Sequence, residues 1–125
     1  MKPGTNWRLR YAGGSNDRLE VWREGDVAGL RWDPVTPFES SSGSYSGGTP
    51  CRRAIPLSAA EAIRTAALAL EADPSLRAPA RAMGTGLFSL EGEGAAGGRR
   101  FLIHRGDALD AFEACWRGWL DDEPV

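Results

Sequence analysis

Between Trp7 and Trp32 the apolar residues recur at every second position, and that spacing constrains the fold more than any other feature. Trp7, Leu9 and Tyr11 alternate with Arg8 and Arg10. Successive side chains on a strand point to opposite faces, so this pattern predicts a half-buried strand. Gly13-Gly14-Ser15-Asn16-Asp17 is a turn cluster, and Arg18 to Arg23 alternates again. Glu24-Gly25-Asp26 makes a tight turn into a third strand, Val27 to Trp32. Two consecutive hairpins, an antiparallel meander, are the simplest arrangement of such segments.

The pattern stops at Asp33. Pro34 and Pro37 interrupt it, and positions 40–48 are all Ser or Gly except Tyr45. A Ser/Gly-rich loop is therefore expected over about 34–50, far longer than the usual connection of roughly 4–6 residues. Cys51 to Leu57 reads as extended, with Pro56 at a strand end or edge. Ser58 is then the expected helix N-cap, with Glu61 completing a capping box. Ile63, Ala66, Ala67 and Leu70 form one apolar stripe, and Asp73-Pro74 ends the helix. A linker over 74–86, with room for a short helical turn, leads to a strand over 86–91. A Gly-rich turn over 92–98 precedes a partner strand, Arg99 to Arg105. Asp107 is the expected cap of a last helix, whose buried stripe is Leu109, Phe112, Trp116 and Trp119 or Leu120. The order β-β-β-(β)-α-β-β-α predicts one α+β domain over 1–125. Its antiparallel sheet has about five to six strands, with two helices packed on one face.

Composition narrows the function classes. The chain has 125 residues, 42% hydrophobic and 26% charged, a globular composition. Its formal net charge is −2, which gives no global case for nucleic acid as a partner. No apolar run reaches the roughly 20 residues of a membrane helix, and Met1 to Asn6 carries no apolar leader. Lys2 is the only lysine beside fourteen arginines, a bias of GC-rich bacterial coding. A bacterial cytoplasm, with Cys51 and Cys115 as free thiols, is the expectation.

His104 is the only histidine, so a catalytic reading pairs it with Cys51 or Cys115. Against it, Cys115 lies between Ala114 and Trp116 in an amphipathic helix, where a free cysteine acts as a small apolar filler. No HExxH, CxxC or paired acidic spacing points to a metal, and no cofactor is expected. Gly92 to Gly98 lacks both the strand-to-helix setting and the lysine of a phosphate loop, so it reads as a hairpin tip.

The aromatic residues are the strongest pointer. Trp22 is in phase with Arg18 and Glu20 and out of phase with Leu19 and Val21, which directs its ring away from the Leu19/Val21 face. Trp32, after Leu30 in the adjoining strand, is placed with it as an interface anchor, since Trp, Tyr and Arg dominate binding hot spots. Phe38 and Tyr45 stand in the Ser/Gly loop, where isolated aromatics suit a partner's pocket. Arg52-Arg53 and Arg99-Arg100 are basic pairs, read either as solvated surface or as contacts for an acidic protein.

At Ser46-Gly47-Gly48-Thr49-Pro50, followed by a strand and a capped helix, the layout resembles small bacterial toxin-immunity domains. The later order of capped helix, two strands and short final helix is similar to emfourin-type protease inhibitors. These resemblances imply stoichiometric binding to a toxin or protease whose active site is occluded. Trp22, Trp32, Phe38, Tyr45, Arg52 and Arg53 are the expected partner-binding residues. The alternatives are a small Cys–His enzyme and a structural subunit that homodimerises through an edge strand.

Overall fold

The structure is a computed structural model that describes residues 6–13, 17–34, 51–81, 84–92 and 95–120, with residues 95–97 described as backbone. Six strands form one antiparallel sheet: β1 (Trp7–Ala12), β2 (Arg18–Glu24), β3 (Val27–Asp33), β4 (Cys51–Ile55), β5 (Gly86–Gly92) and β6 (Ala95–Ile103). Their spatial order is β4-β3-β2-β1-β5-β6. Helix α1 (Leu57–Glu71) links β4 to β5, and α2 (Asp107–Arg117) follows β6. The fold is α+β, with an antiparallel sheet and two helices, as the residue pattern predicts.

Alternation sorts the sheet into a covered face and an open one. Trp7, Leu9 and Tyr11 from β1, Leu19 and Val21 from β2, and Ala28, Leu30 and Trp32 from β3 are buried. They meet Ala60, Ile63, Ala67 and Leu70 of α1 and Leu109, Phe112 and Trp116 of α2. The alanines of α1 let the helix lie close on the sheet. Burial of a side chain such as Ile63 contributes about 1.5–3 kcal/mol, more than the roughly 1 kcal/mol of a typical helix cap. Aromatic rings dominate under α2. Trp116 packs 5.3 Å from Trp32 and 6.0 Å from Tyr11, and Phe88 stacks on Phe101 at 4.8 Å. The Arg117 guanidinium lies over both Trp32 and Trp116, at 5.6 and 5.2 Å.

Local details differ from the sequence expectations. Pro56, not Ser58, is the N-cap of α1, and the amides of Ala59 and Ala60 donate to its carbonyl at 3.0 and 3.1 Å. Glu61 makes no capping box. Its Oε2 accepts from Trp7 Nε1 and from Arg23, each at 3.0 Å. The sheet thus takes the carboxylate that the helix end would have used. After α1, Asp73 caps a short 3₁₀ turn, Pro74–Leu76, by accepting from the Ser75 amide at 3.0 Å. Strand β6 begins at Ala95 and ends at Ile103, because the His104 amide turns to the Leu76 carbonyl at 2.8 Å. The first turn of α2 contains Asp107, with Gly106 at the N-cap position. Trp119 and Leu120 lie past the helix, half-buried against the core.

Candidate interaction surface

The sheet face opposite the helices is built by the other parity of the same strands. It carries Arg8 and Arg10 of β1, Arg18, Glu20, Trp22 and Glu24 of β2, and Val27, Arg31 and Asp33 of β3. Arg52 of β4, Leu87, Ser89 and Glu91 of β5, and Arg100 and Leu102 of β6 continue it. Among the described residues this face holds six arginines against four carboxylates, so it is locally positive on a chain whose formal charge is −2.

Register places one row across all six strands. Arg52 is opposite Arg31, Arg31 opposite Glu20, Glu20 opposite Arg10, Arg10 opposite Ser89, and Ser89 opposite Arg100. Arg10, Arg31, Arg52 and Arg100 are all exposed. Glu20 is shared between Arg8 at 2.6 Å and Arg10 at 3.4 Å. Asp33 is shared between Arg18 at 3.5 Å and Arg31 at 3.8 Å. Such exposed pairs contribute about 0–1 kcal/mol each, so they order the face more than they stabilise the fold. Arg10, Arg18, Arg31 and Arg100 surround a depression of about 630 Å³, with Ala12 and Leu87 among its lining.

Trp22 lies next to this row on the open face, half-buried. Its indole packs on Gly29, the residue opposite it in β3. The Arg52 guanidinium lies 4.9 Å from the ring centroid and that of Arg8 5.9 Å. Cation–π contacts of this length hold the indole flat as a fixed aromatic platform.

The structure separates the six expected partner-binding residues. Trp22 and Arg52 share the open face. Trp32 does not: it is 4% exposed, opposite Leu19 under the helices, and belongs to the core. Arg53 also leaves the group, because neighbouring residues on a strand face opposite ways, and it stands half-buried opposite Leu30 on the helix side. Phe38 and Tyr45 lie outside the described residues, as does most of the expected loop at 34–50. The pair Arg99-Arg100 splits likewise, with Arg99 bridging to Glu71 of α1 at 2.8 Å.

Arg10, Arg18, Arg31 and Ser89 were not singled out from the sequence, and Arg100 only as half of a basic pair. Their signal was parity. Each is out of phase with the buried residues of its own strand, although Arg10, Arg18 and Arg31 fall within one alternating segment and Ser89 and Arg100 within the later hairpin.

The Cys–His alternatives are not assembled. Cys51 lies in β4 and His104 follows β6, the two edge strands, which five inter-strand spacings hold about 24 Å apart. Cys115 lies eight residues into α2, about 12 Å along the axis from the end nearest His104. Burial pushes its thiol pKa up, away from the thiolate a nucleophile needs. Among the described residues no group of three or more His, Cys, Asp or Glu could hold a metal ion, and no helix is long and apolar enough to cross a membrane. The outer edge of β6 is partly taken, since the Ala78 amide donates to the Leu102 carbonyl at 2.9 Å. Comparison with protein-family models, with curated proteins and with solved structures gives no match to this chain.

Proposed function

We propose that this is a non-catalytic binding domain whose open sheet face receives an acidic protein partner. The row that crosses all six strands, with exposed arginines on four of them, supports this reading most. Arginine presents a planar fork of donors that carboxylates match two at a time. A face with more arginines than acids steers an acidic partner and rejects a basic one. Trp22, braced by Arg8 and Arg52, is the aromatic anchor. Interspersed Glu20, Asp33 and Glu91 favour a protein over a nucleic-acid backbone, whose continuous negative charge they would repel. The resemblance to immunity and emfourin-type proteins supplies the narrower form: the partner is a toxin or protease, and the face occludes its active site.

Affinity capture from cells of the source organism tests this, with three baits compared. The unaltered chain is expected to retain one stoichiometric partner. The double variant R31E/R52E loses it, whereas A69E, which adds an acid to the exposed side of α1, keeps it. Loss through A69E but not through R31E/R52E overturns the reading. In the narrower form, adding the chain to the captured partner abolishes a hydrolytic or toxic activity at one-to-one stoichiometry.

A further inference from the structure

The open face has a second level of order, at the β1-β5-β6 end. Arg10, Ser89 and Arg100 stand side by side on three neighbouring strands. At about 4.8 Å per strand, the two arginine backbones are nearly 10 Å apart, with the Ser89 hydroxyl between them. Arg100 has no carboxylate partner among the described residues, and Arg10 reaches its carboxylates only at 3.4 and 3.5 Å. Both guanidinium groups keep donors to spare, and both line the depression with Ser89.

The next row along these strands is apolar: Ala12 is opposite Leu87, and Leu87 opposite Leu102. It lies two residues away, about 6.6–6.8 Å along the strands. On the other side of Ser89 stands Glu91, which repels a second anion. The end of the sheet therefore offers one anion seat with an apolar seat on one side only.

We infer that the Arg10–Ser89–Arg100 row and the Ala12–Leu87–Leu102 row together bind an extended peptide of the form acid–x–aliphatic. In an extended chain, residues i and i+2 share a side and are separated by the same 6.6–6.8 Å. The acidic side chain is received by the two arginines and the hydroxyl, and the aliphatic one covers Leu87. Glu91 leaves only the Leu87 side of the anion seat for the aliphatic side chain. This inference rests on the acidic-partner reading and names the motif that the partner presents.

The test is an amide-shift titration of the full chain with blocked peptides. Acetyl-Thr-Glu-Thr-Leu-Thr-amide is expected to shift the amides of Ala12, Leu87, Ser89 and Arg100. It should bind about tenfold more tightly than acetyl-Thr-Glu-Leu-Thr-Thr-amide, and R100Q or L87S should each remove about tenfold, the scale of one lost charged or apolar contact. R100Q changes an exposed residue, so its fold is secure. Equal binding of the two peptides overturns the spacing argument. Equal shifts with oligothymidylate or inorganic phosphate overturn it too, since the seat is then a general anion patch. If blocked triglutamate shifts Arg31 and Arg52 while neither test peptide shifts Ser89, the motif fails and the acidic-partner reading stands. If no peptide shifts any open-face amide, both fail.

Discussion

Trp22 occupies the space a side chain at Gly29 would need: a Cβ there would stand 2.4 Å from Trp22 Cζ2 and 2.7 Å from Cε2. The two residues are opposite in β2 and β3. Glycine is therefore at position 29 for the sake of the indole and not for a turn. Alanine at this site overpacks the contact and is expected to cost about 1–3 kcal/mol in urea unfolding. In a W22A background the same G29A change should cost less than about 0.5 kcal/mol, because the clash is gone. Equal costs in both backgrounds would show that the indole does not rest on Gly29.

Tyr11 and Glu113 make a second prediction, in alkali. The Tyr11 hydroxyl donates to the Glu113 carboxylate beneath α2. Burial, then that hydrogen bond, pushes the phenol well above its ordinary value of 10.0. A raised folded pKa means that the native state keeps a proton the unfolded chain releases. Its contribution is complete below pH 10 and declines above it, by about 1.4 kcal/mol per pH unit until the folded pKa is reached. Y11F should lose about 1.5–3 kcal/mol at pH 7 and show a flatter stability profile above pH 10. Parallel profiles for the two proteins would dissociate Tyr11 from alkaline unfolding.

Glu61 acts at the acid end. Burial alone would raise its pKa, but hydrogen bonds from Trp7 and Arg23 and the charge of Arg64 bring it below the ordinary 4.5. Its contribution is present above the unfolded value and is lost as pH falls through the folded one. Glu61 is 35% exposed, so solvent screening reduces the effect. E61Q keeps an acceptor for the Trp7 indole, whereas E61A strands that buried donor and should cost about 1–3 kcal/mol more. E61Q should also unfold with a weaker pH dependence below pH 4.5. Thermal unfolding of the three proteins at pH 3 and 7 measures both differences.

Much of this architecture was legible from residue parity. Alternation in Trp7–Tyr11 and Arg18–Arg23 identified the buried faces, and the spacing of Leu109, Phe112 and Trp116 identified the stripe of α2. Trp32 lies in the core, not on the open face, because of the register between β2 and β3. The Gly25-Asp26 turn sets Glu24 opposite Val27, so Val21 faces Leu30 and Leu19 faces Trp32. Once that register is counted, Trp32 must share the core face with Leu19. The start of α1 was not legible, because the Glu61 carboxylate is drawn to Trp7 and Arg23, which are more than thirty residues away in sequence. The pairing of β5 with β1 was equally hidden. It depends on α1 crossing the sheet from β4, a tertiary event with no local signature. The arginine row needed both the register and that crossover, so only Arg52, Arg100 and the neighbouring Trp22 were named from sequence, and not as one row.

Arg31 and Arg52 give the last prediction, because they are directly opposite and carry like charge. Such a pair is destabilising in a sheet, and Asp33, shared with Arg18, approaches Arg31 only to 3.8 Å. A sheet selected for stability alone would place a β-branched residue at position 31. R31T is therefore expected to raise stability by about 0.2–1 kcal/mol, from relief of repulsion and a better strand former. The same change should weaken capture of the acidic partner, since it removes one of the four arginines of the row. Stability gained with binding lost is the signature of a residue kept for function. If R31T instead leaves both unchanged in urea unfolding and in capture, the arginines of this row are ordinary solvated surface.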